Sequence, residues 1–175
     1  MGSGRSNQLA GQIAEHLVCA ELGKRDLIAT AFSGNVPAFD VIAADEHCNT
    51  APIQVKSSRS DTWPSNAKYW MDIEFDQETN KQEYKGPVVL TTPELIYVHV
   101  ALKKPNDANN DRFFILNMSD LQQIAIENYT RWMDERGWKR PRKPESLDYR
   151  YKIKDLVEFE DNWNLIEERF RGDGS

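Results

Sequence analysis

The chain is poor in sulfur and histidine, with two cysteines and three histidines in 175 residues. Cys19 and Cys48 stand in unrelated contexts and lack the paired spacing of a zinc site, which excludes a structural zinc module. Cys19 reads as core and Cys48 as a turn thiol; His47 beside it reads as exposed, and His16 and His99 as structural. No apolar run approaches the length that spans a bilayer, so no membrane partner is expected. No signal-peptide pattern opens the chain either, and a cytoplasmic location is expected. There is no internal repeat. Positive charge is also short: 22 Lys and Arg stand against 28 Asp and Glu, a net charge of -6. Phosphate binding ordinarily leaves a basic footprint, so this balance argues mildly against a nucleic-acid partner at the level of the whole chain.

What is present is an ordinary globular composition, 29% charged and 39% hydrophobic, at the size of one domain spanning 1–175. The opening Met1-Gly2-Ser3-Gly4-Arg5-Ser6 formally matches a myristoylation pattern, but its glycine and serine content reads as a disordered lead or a tag over 1–6. Periodicity predicts a helix from about Asn7 to Leu22, with Leu9, Ile13, Leu17 and Ala20 as its core stripe and Gly23 as the residue that ends it. A strand over Asp26 to Phe32 follows. The segment 57–93 reads as a polar insertion holding Trp63, Tyr69 and Trp70, with a strand from Trp70 to Phe75. Leu95 to Leu102 is a strong buried strand, and Arg112 to Leu116 is its hairpin partner. Ser119 and Gln122 form a capping box for a helix to about Glu135, stopped near Gly137. A last helix is predicted over Asp155 to Phe170, with Leu156, Phe159, Trp163 and Ile166 on one face. Helix, strand meander, later strands and helices in this order make an α/β protein with a mixed β-sheet flanked by helices.

The chemistry lies in Pro37-Ala38-Phe39-Asp40-Val41-Ile42-Ala43-Ala44, a polar turn at 45–50, and Ile53-Gln54-Val55-Lys56. Side chains alternate along a strand, so Gln54 and Lys56 share a face and Val55 takes the other. A turn rich in polar residues folds the strands antiparallel and brings Asp40 to Gln54. Oxygen ligands suit Mg2+ or Mn2+. Asp40 is the central candidate ligand, with the Gln54 side-chain oxygen and the Val55 carbonyl beside it, and Lys56 is the candidate cation for positioning water against a phosphate. Glu15 shares a helical stripe with Gly11, Val18 and Leu22, which makes it either an accessory ligand or a solvated boundary residue.

These residues resemble the PD-(D/E)xK, or restriction-endonuclease-like, nuclease superfamily, in its compact Holliday-junction-resolvase-like form. The matching parts are Gly11-x-x-x-Glu15, Pro37-x-x-Asp40 and Gln54-x-Lys56, in the superfamily's order, with Gln54 where an acid is usual. The resemblance implies a restriction-endonuclease-like core. It also implies a divalent-metal-dependent DNA endonuclease that leaves a 5′-phosphate on duplex or branched DNA, often as a homodimer. The alternative is the same fold kept as an inactive nucleic-acid- or protein-binding module after Gln54 replaced the acid. A third reading is a toxin, immunity or phage-encoded partner protein.

The basic residues cluster late, in a segment over 136–154 that includes Lys139, Arg140, Arg142, Lys143 and Arg150 with interleaved Trp138, Tyr149 and Tyr151. It reads either as a DNA-contacting arm or as a connector whose charges pair with the acidic C-terminal stretch. Arg59 and Lys68, soon after Lys56, are weaker candidates for backbone contacts.

Overall fold

The computed structural model describes residues 4–32, 38–104, 107–108 and 110–171. Helix α1 (Gly4–Gly23) leads into three antiparallel strands, β1 (Ile28–Ala31), β2 (Val41–Ala44) and β3 (Thr50–Ser58). A second layer then begins with β4 (Thr62–Asn66), a 3-10 turn at Ala67–Tyr69, and a hairpin of β5 (Met71–Asp76) and β6 (Lys81–Pro87). The chain returns to the first sheet as β7 (Ile96–Ala101) and β8 (Arg112–Asn117), then adds α2 (Met118–Asp134) and β9 (Asp148–Lys152), the latter paired with β4. Two 3-10 turns and a short α3 (Asn164–Glu167) complete the described fold.

The main sheet runs β1-β2-β3-β7-β8, and only β3 and β7 are parallel neighbours. Parallel neighbours need a long crossover. Here the crossover is the β4–β6 layer, which lies in the stretch that reads as an insertion. The sheet has a hydrophobic core on each face. On one side Ala10, Ala14, Val18 and Leu22 of α1 pack over Val41, Ile53, Val55, Val98, Val100 and Ile115. On the other, Leu121, Ala125, Tyr129 and Met133 of α2, with Trp63 and Tyr151, pack against Phe114 and Leu116. Among the described residues no helix is long and apolar enough to cross a membrane.

Three expectations need correction. The core stripe of α1 is turned by one residue, about 100°, from the expected one: Leu9 is 51% exposed and Ile13 is exposed, while Ala14 is fully buried. The sheet under α1 is filled by branched side chains, so close packing selects the small Ala10 and Ala14 rather than the bulky pair. Gly23 does end α1, as its last helical residue, and the left-handed residue that follows is Asp26 (φ 61). The α2 capping box uses Asn117, whose N–H donates to Asp120 Oδ2 at 3.2 Å, because β8 runs straight into the helix. Gln122 instead donates to the Trp70 and Val88 carbonyls, tying α2 to the second layer.

The expected final helix is broken. Leu156 and Phe159 belong to the core on one face of the sheet, while Trp163 and Ile166 belong to the other. A continuous helix cannot serve both, so the chain wraps the β8 edge through a bridge of Phe114 with Glu160 and a left-handed turn at Asp161 (φ 51).

Candidate active site

The turn between β2 and β3 is closed by Asp45, whose Oδ1 accepts from the His47 and Asn49 N–H groups at 2.9 and 2.8 Å. Cys48 takes the left-handed conformation there (φ 65). This turn sets the register Val41↔Ile53, which the Asp40 N–H extends by donating to the Ile53 carbonyl at 2.9 Å. Asp40 thereby stands opposite Gln54. Its Oδ2 accepts from the Val55 N–H at 2.8 Å and from the Gln54 side-chain amide. In a strand a residue's N–H and C=O point to the same side, so the Val55 carbonyl is directed to the edge that carries Asp40. Pro37, which opens the motif, lies outside the described residues.

Glu15 enters this group from α1. Burial first, and the Asp40 carboxylate second, push its carboxyl above the usual carboxylate range, while Lys56 opposes them. That mutual influence places Glu15, Asp40 and Lys56 in one electrostatic neighbourhood. Glu15 itself is half-buried. One turn earlier, a Cβ at Gly11 would stand 3.8 Å from Glu15 Oε1, an ordinary contact. Lys56 is exposed.

Three further residues frame the site. Tyr97 and His99 of β7 are the parallel partners of Gln54 and Lys56 and share their face. Burial, then Asp40, raises the Tyr97 hydroxyl. His99, fully buried, is driven down to about 3 by burial and then by Lys56, and its Nε2 shares a 2.6 Å hydrogen bond with the Tyr151 hydroxyl. Trp63 of β4 donates from Nε1 to the Lys56 carbonyl at 3.1 Å and stacks on Tyr151. Sequence reading gives His99 as structural, in keeping with its burial, and assigns no role at the site to Tyr97 or Trp63. The only signal for His99 was its position in a strongly apolar strand.

The basic candidates separate. Arg59 is exposed just past β3, and Lys68 lies 5.3 Å from the Tyr69 ring. Lys139, Arg142 and Lys143 are exposed. Arg140 turns inward, donating to the Asp148 carbonyl at 2.9 Å with its guanidinium 5.0 Å from the Trp132 ring, so packing rather than ligand contact occupies it. Among the described residues no ion pair joins the 136–154 segment to the acidic C-terminal stretch; the acids there pair with Arg25, Arg112 and Arg171.

Two carboxylates, an amide oxygen and a backbone carbonyl form a hard-oxygen donor set, the kind that suits Mg2+ or Mn2+. Among the described residues no group of three or more His, Cys, Asp and Glu side chains is poised to hold a metal, so such a site depends on Gln54 and Val55 oxygens. Gln54 presents its NH2 to Asp40, and an amide rotation would exchange donor for acceptor.

No family model matches the chain, and no curated protein matches it in sequence. The fold is similar to that of a bacterial homing endonuclease, I-Ssp6803I, with a TM-score of 0.51 and 11% identity over 97% of this chain and 99% of that one. The fold is restriction-endonuclease-like. An archaeal Holliday junction resolvase, Hjc of Archaeoglobus fulgidus, also matches, with a TM-score of 0.39 and 11% identity over 84% of this chain and 87% of that one.

Proposed function

We propose that the protein is a divalent-metal-dependent DNA endonuclease. The observation that carries this reading is the convergence of Glu15, Asp40, Gln54 and Lys56 at the β2–β3 junction of a restriction-endonuclease-like fold. Asp40 and Glu15, with the Gln54 side-chain oxygen and the Val55 carbonyl, would hold the metal. When bound there, Mg2+ or Mn2+ supplies a water of lowered pKa and offsets the charge that develops on the phosphate.

The remaining work falls to the chain. The Val55 N–H fixes Asp40 Oδ2, so the carboxylate keeps one orientation while Oδ1 stays available among the described residues. The exposed Lys56 ammonium orients the attacking water and neutralises a nonbridging phosphate oxygen. The water oxygen bonds to phosphorus as the P–O3′ bond breaks, leaving a 5′-phosphate and a 3′-hydroxyl. Tyr97, standing beside Gln54, closes the β7 side of the site.

One observation favours the inactive binding module instead. The Gln54 amide already satisfies Asp40 without a cation. Cleavage of labelled duplex, single-stranded and four-way-junction DNA separates the two readings. The nuclease cuts with Mg2+ or Mn2+, loses all cutting in Asp40→Ala or with a chelator, and loses about 100- to 1,000-fold in Lys56→Ala. Mn2+ also raises the melting temperature of the wild type but not of Asp40→Asn. The module does none of these things, and absence of both cutting and metal-dependent stabilisation would overturn the nuclease reading.

A further inference from the structure

Past Lys56, β3 ends beside a cavity of about 620 Å³ that the proposed chemistry does not use. Its walls come from α1 through Asn7 and Ala10, from β3 and the following loop through Ser57 and Arg59, and from β9 through Arg150. Among the described residues no carboxylate lines it, in a chain whose net charge is -6. Arg59 and Arg150 are both exposed, and among the described residues neither joins an ion pair. Two guanidinium groups without ion-pair partners lining one cavity repel one another, and an anion bound there offsets that repulsion. A phosphate suits that place, since its oxygens match the planar fork of arginine. The neighbouring basic cavity is built differently. There Arg131, Arg140, Lys152 and Lys154 are interspersed with Glu135, Asp148 and Asp155, and Arg150 borders both cavities.

Position narrows the ligand. Asn7, Gly11 and Glu15 fall at i, i+4 and i+8 on one stripe of α1. Asn7 borders the cavity and Glu15 belongs to the acid group, so the two places lie about 12 Å apart along the helix axis. Gly11, between them, presents no side chain to block the way. A ligand that reaches both must carry more than one phosphate along an extended backbone.

We propose that this cavity is a subsite for a backbone phosphate of DNA next to the scissile one, gripped from one side by Arg59 and from the other by Arg150. The inference rests on the nuclease reading and deepens it. It gives the late basic segment a specific role through Arg150, reached because β9 pairs with β4 and returns to the end of β3.

The test is anisotropy of fluorescein-labelled duplex DNA bound to the full chain in an Asp40→Asn background without metal, read across a salt series. The slope of log K against log salt falls by about 1 in Arg59→Ala and in Arg150→Ala. It falls no further in the double variant, because either removal releases the same phosphate. Lys81→Ala, which changes charge equally but lines none of this cavity, leaves the slope alone. Unchanged slopes, a loss of about 2 in the double variant, or no binding by the parent would overturn the subsite. Cutting by wild type measured in parallel keeps the failures apart. Wild-type cutting with unchanged slopes sinks the subsite and spares the nuclease reading, whereas the expected slopes without wild-type cutting support a phosphate site and sink catalysis.

Discussion

Glu15 sits where burial and the Asp40 carboxylate both favour its protonated form. A carboxyl whose pKa is higher in the folded than in the unfolded state binds protons more readily when native. Its contribution to stability is therefore present at low pH and lost as pH rises through the folded value. At neutral pH ionised Glu15 subtracts from stability, a cost that a bound cation removes. Glu15→Gln keeps the shape and deletes the charge. It is expected to raise the melting temperature at pH 7 by about 1–2 °C, a modest gain because solvent screens a half-exposed group. The gain should vanish at pH 4, below the ordinary value of 4.5. Scanning calorimetry at the two pH values checks this, and the same variant should show weaker stabilisation by Mn2+. A melting temperature that falls at pH 7 would mean that Glu15 is held by contacts worth more than its charge costs.

Among the elements, β4 bears most directly on the site, although it belongs to another sheet. Its Trp63 donates to the Lys56 carbonyl and packs edge-on to His99 and Phe114, so the second layer fixes the strand that carries the lysine. Trp63→Phe keeps an aromatic ring in the core but removes the donor and leaves part of the indole's space unfilled. The expected cost is about 2–3 kcal/mol in urea unfolding, with a single-turnover cleavage rate about tenfold lower at unchanged duplex affinity. Loss of affinity instead would show that Trp63 acts on binding.

Element scale also shows what the sequence could disclose. The β2–β3 hairpin is local and has a strict period of two, so the meeting of Asp40 with Gln54 is readable from a turn and an alternation. The helix carrying Glu15 is readable too, but not its rotation, because Ala10 and Ala14 win the core only against a sheet that a linear pattern does not contain. Tyr97, His99 and Arg150 join the site or its neighbourhood through β3–β7 and β4–β9 pairing, across chain separations where no local periodicity operates. The wrapped C-terminal stretch departs from its helical pattern for a related reason. Leu156, Phe159, Trp163 and Ile166 have helical spacing, yet they serve two opposed cores.

The whole molecule is built on one five-stranded sheet with a core on each face, and neither core is complete without it. Trp63 and Trp70 are buried in one and Trp163 in the other, so tryptophan emission reports both. Emission and far-UV circular dichroism are expected to give one coincident unfolding transition; two separated transitions would mean the layers come apart independently. Acid acts on the molecule through His99, whose folded value of about 3 lies below its ordinary 6.5. The unfolded chain takes up this proton first. The contribution is thus whole above pH 6.5 and is lost as pH falls toward 3, at no more than about 1.4 kcal/mol per pH unit. His99→Phe should be less stable at pH 7.5 by about 1–3 kcal/mol, because the Tyr151 hydroxyl loses its partner. It should also lose stability less steeply between pH 6.5 and 4, as urea midpoints would record. An equally steep acid response in His99→Phe would assign that response to other groups.

The parallel pairing of β3 with β7 also orders events in time. Glu15, Asp40, Gln54 and Lys56 have all been synthesised well before β7 begins at Ile96. At about 5–20 residues per second, roughly 2 to 8 seconds of translation separate them. Through that interval β3 can pair with β2 on one side while its other edge is bare, and Ala51, Ile53 and Val55 lie along it. An open edge of that kind is a template for the wrong strand. The strand that carries Gln54 and Lys56 is thus also the one most exposed to mispairing on a crowded ribosome, a hazard of assembly that ends when Ile96 takes its place beside Ile53.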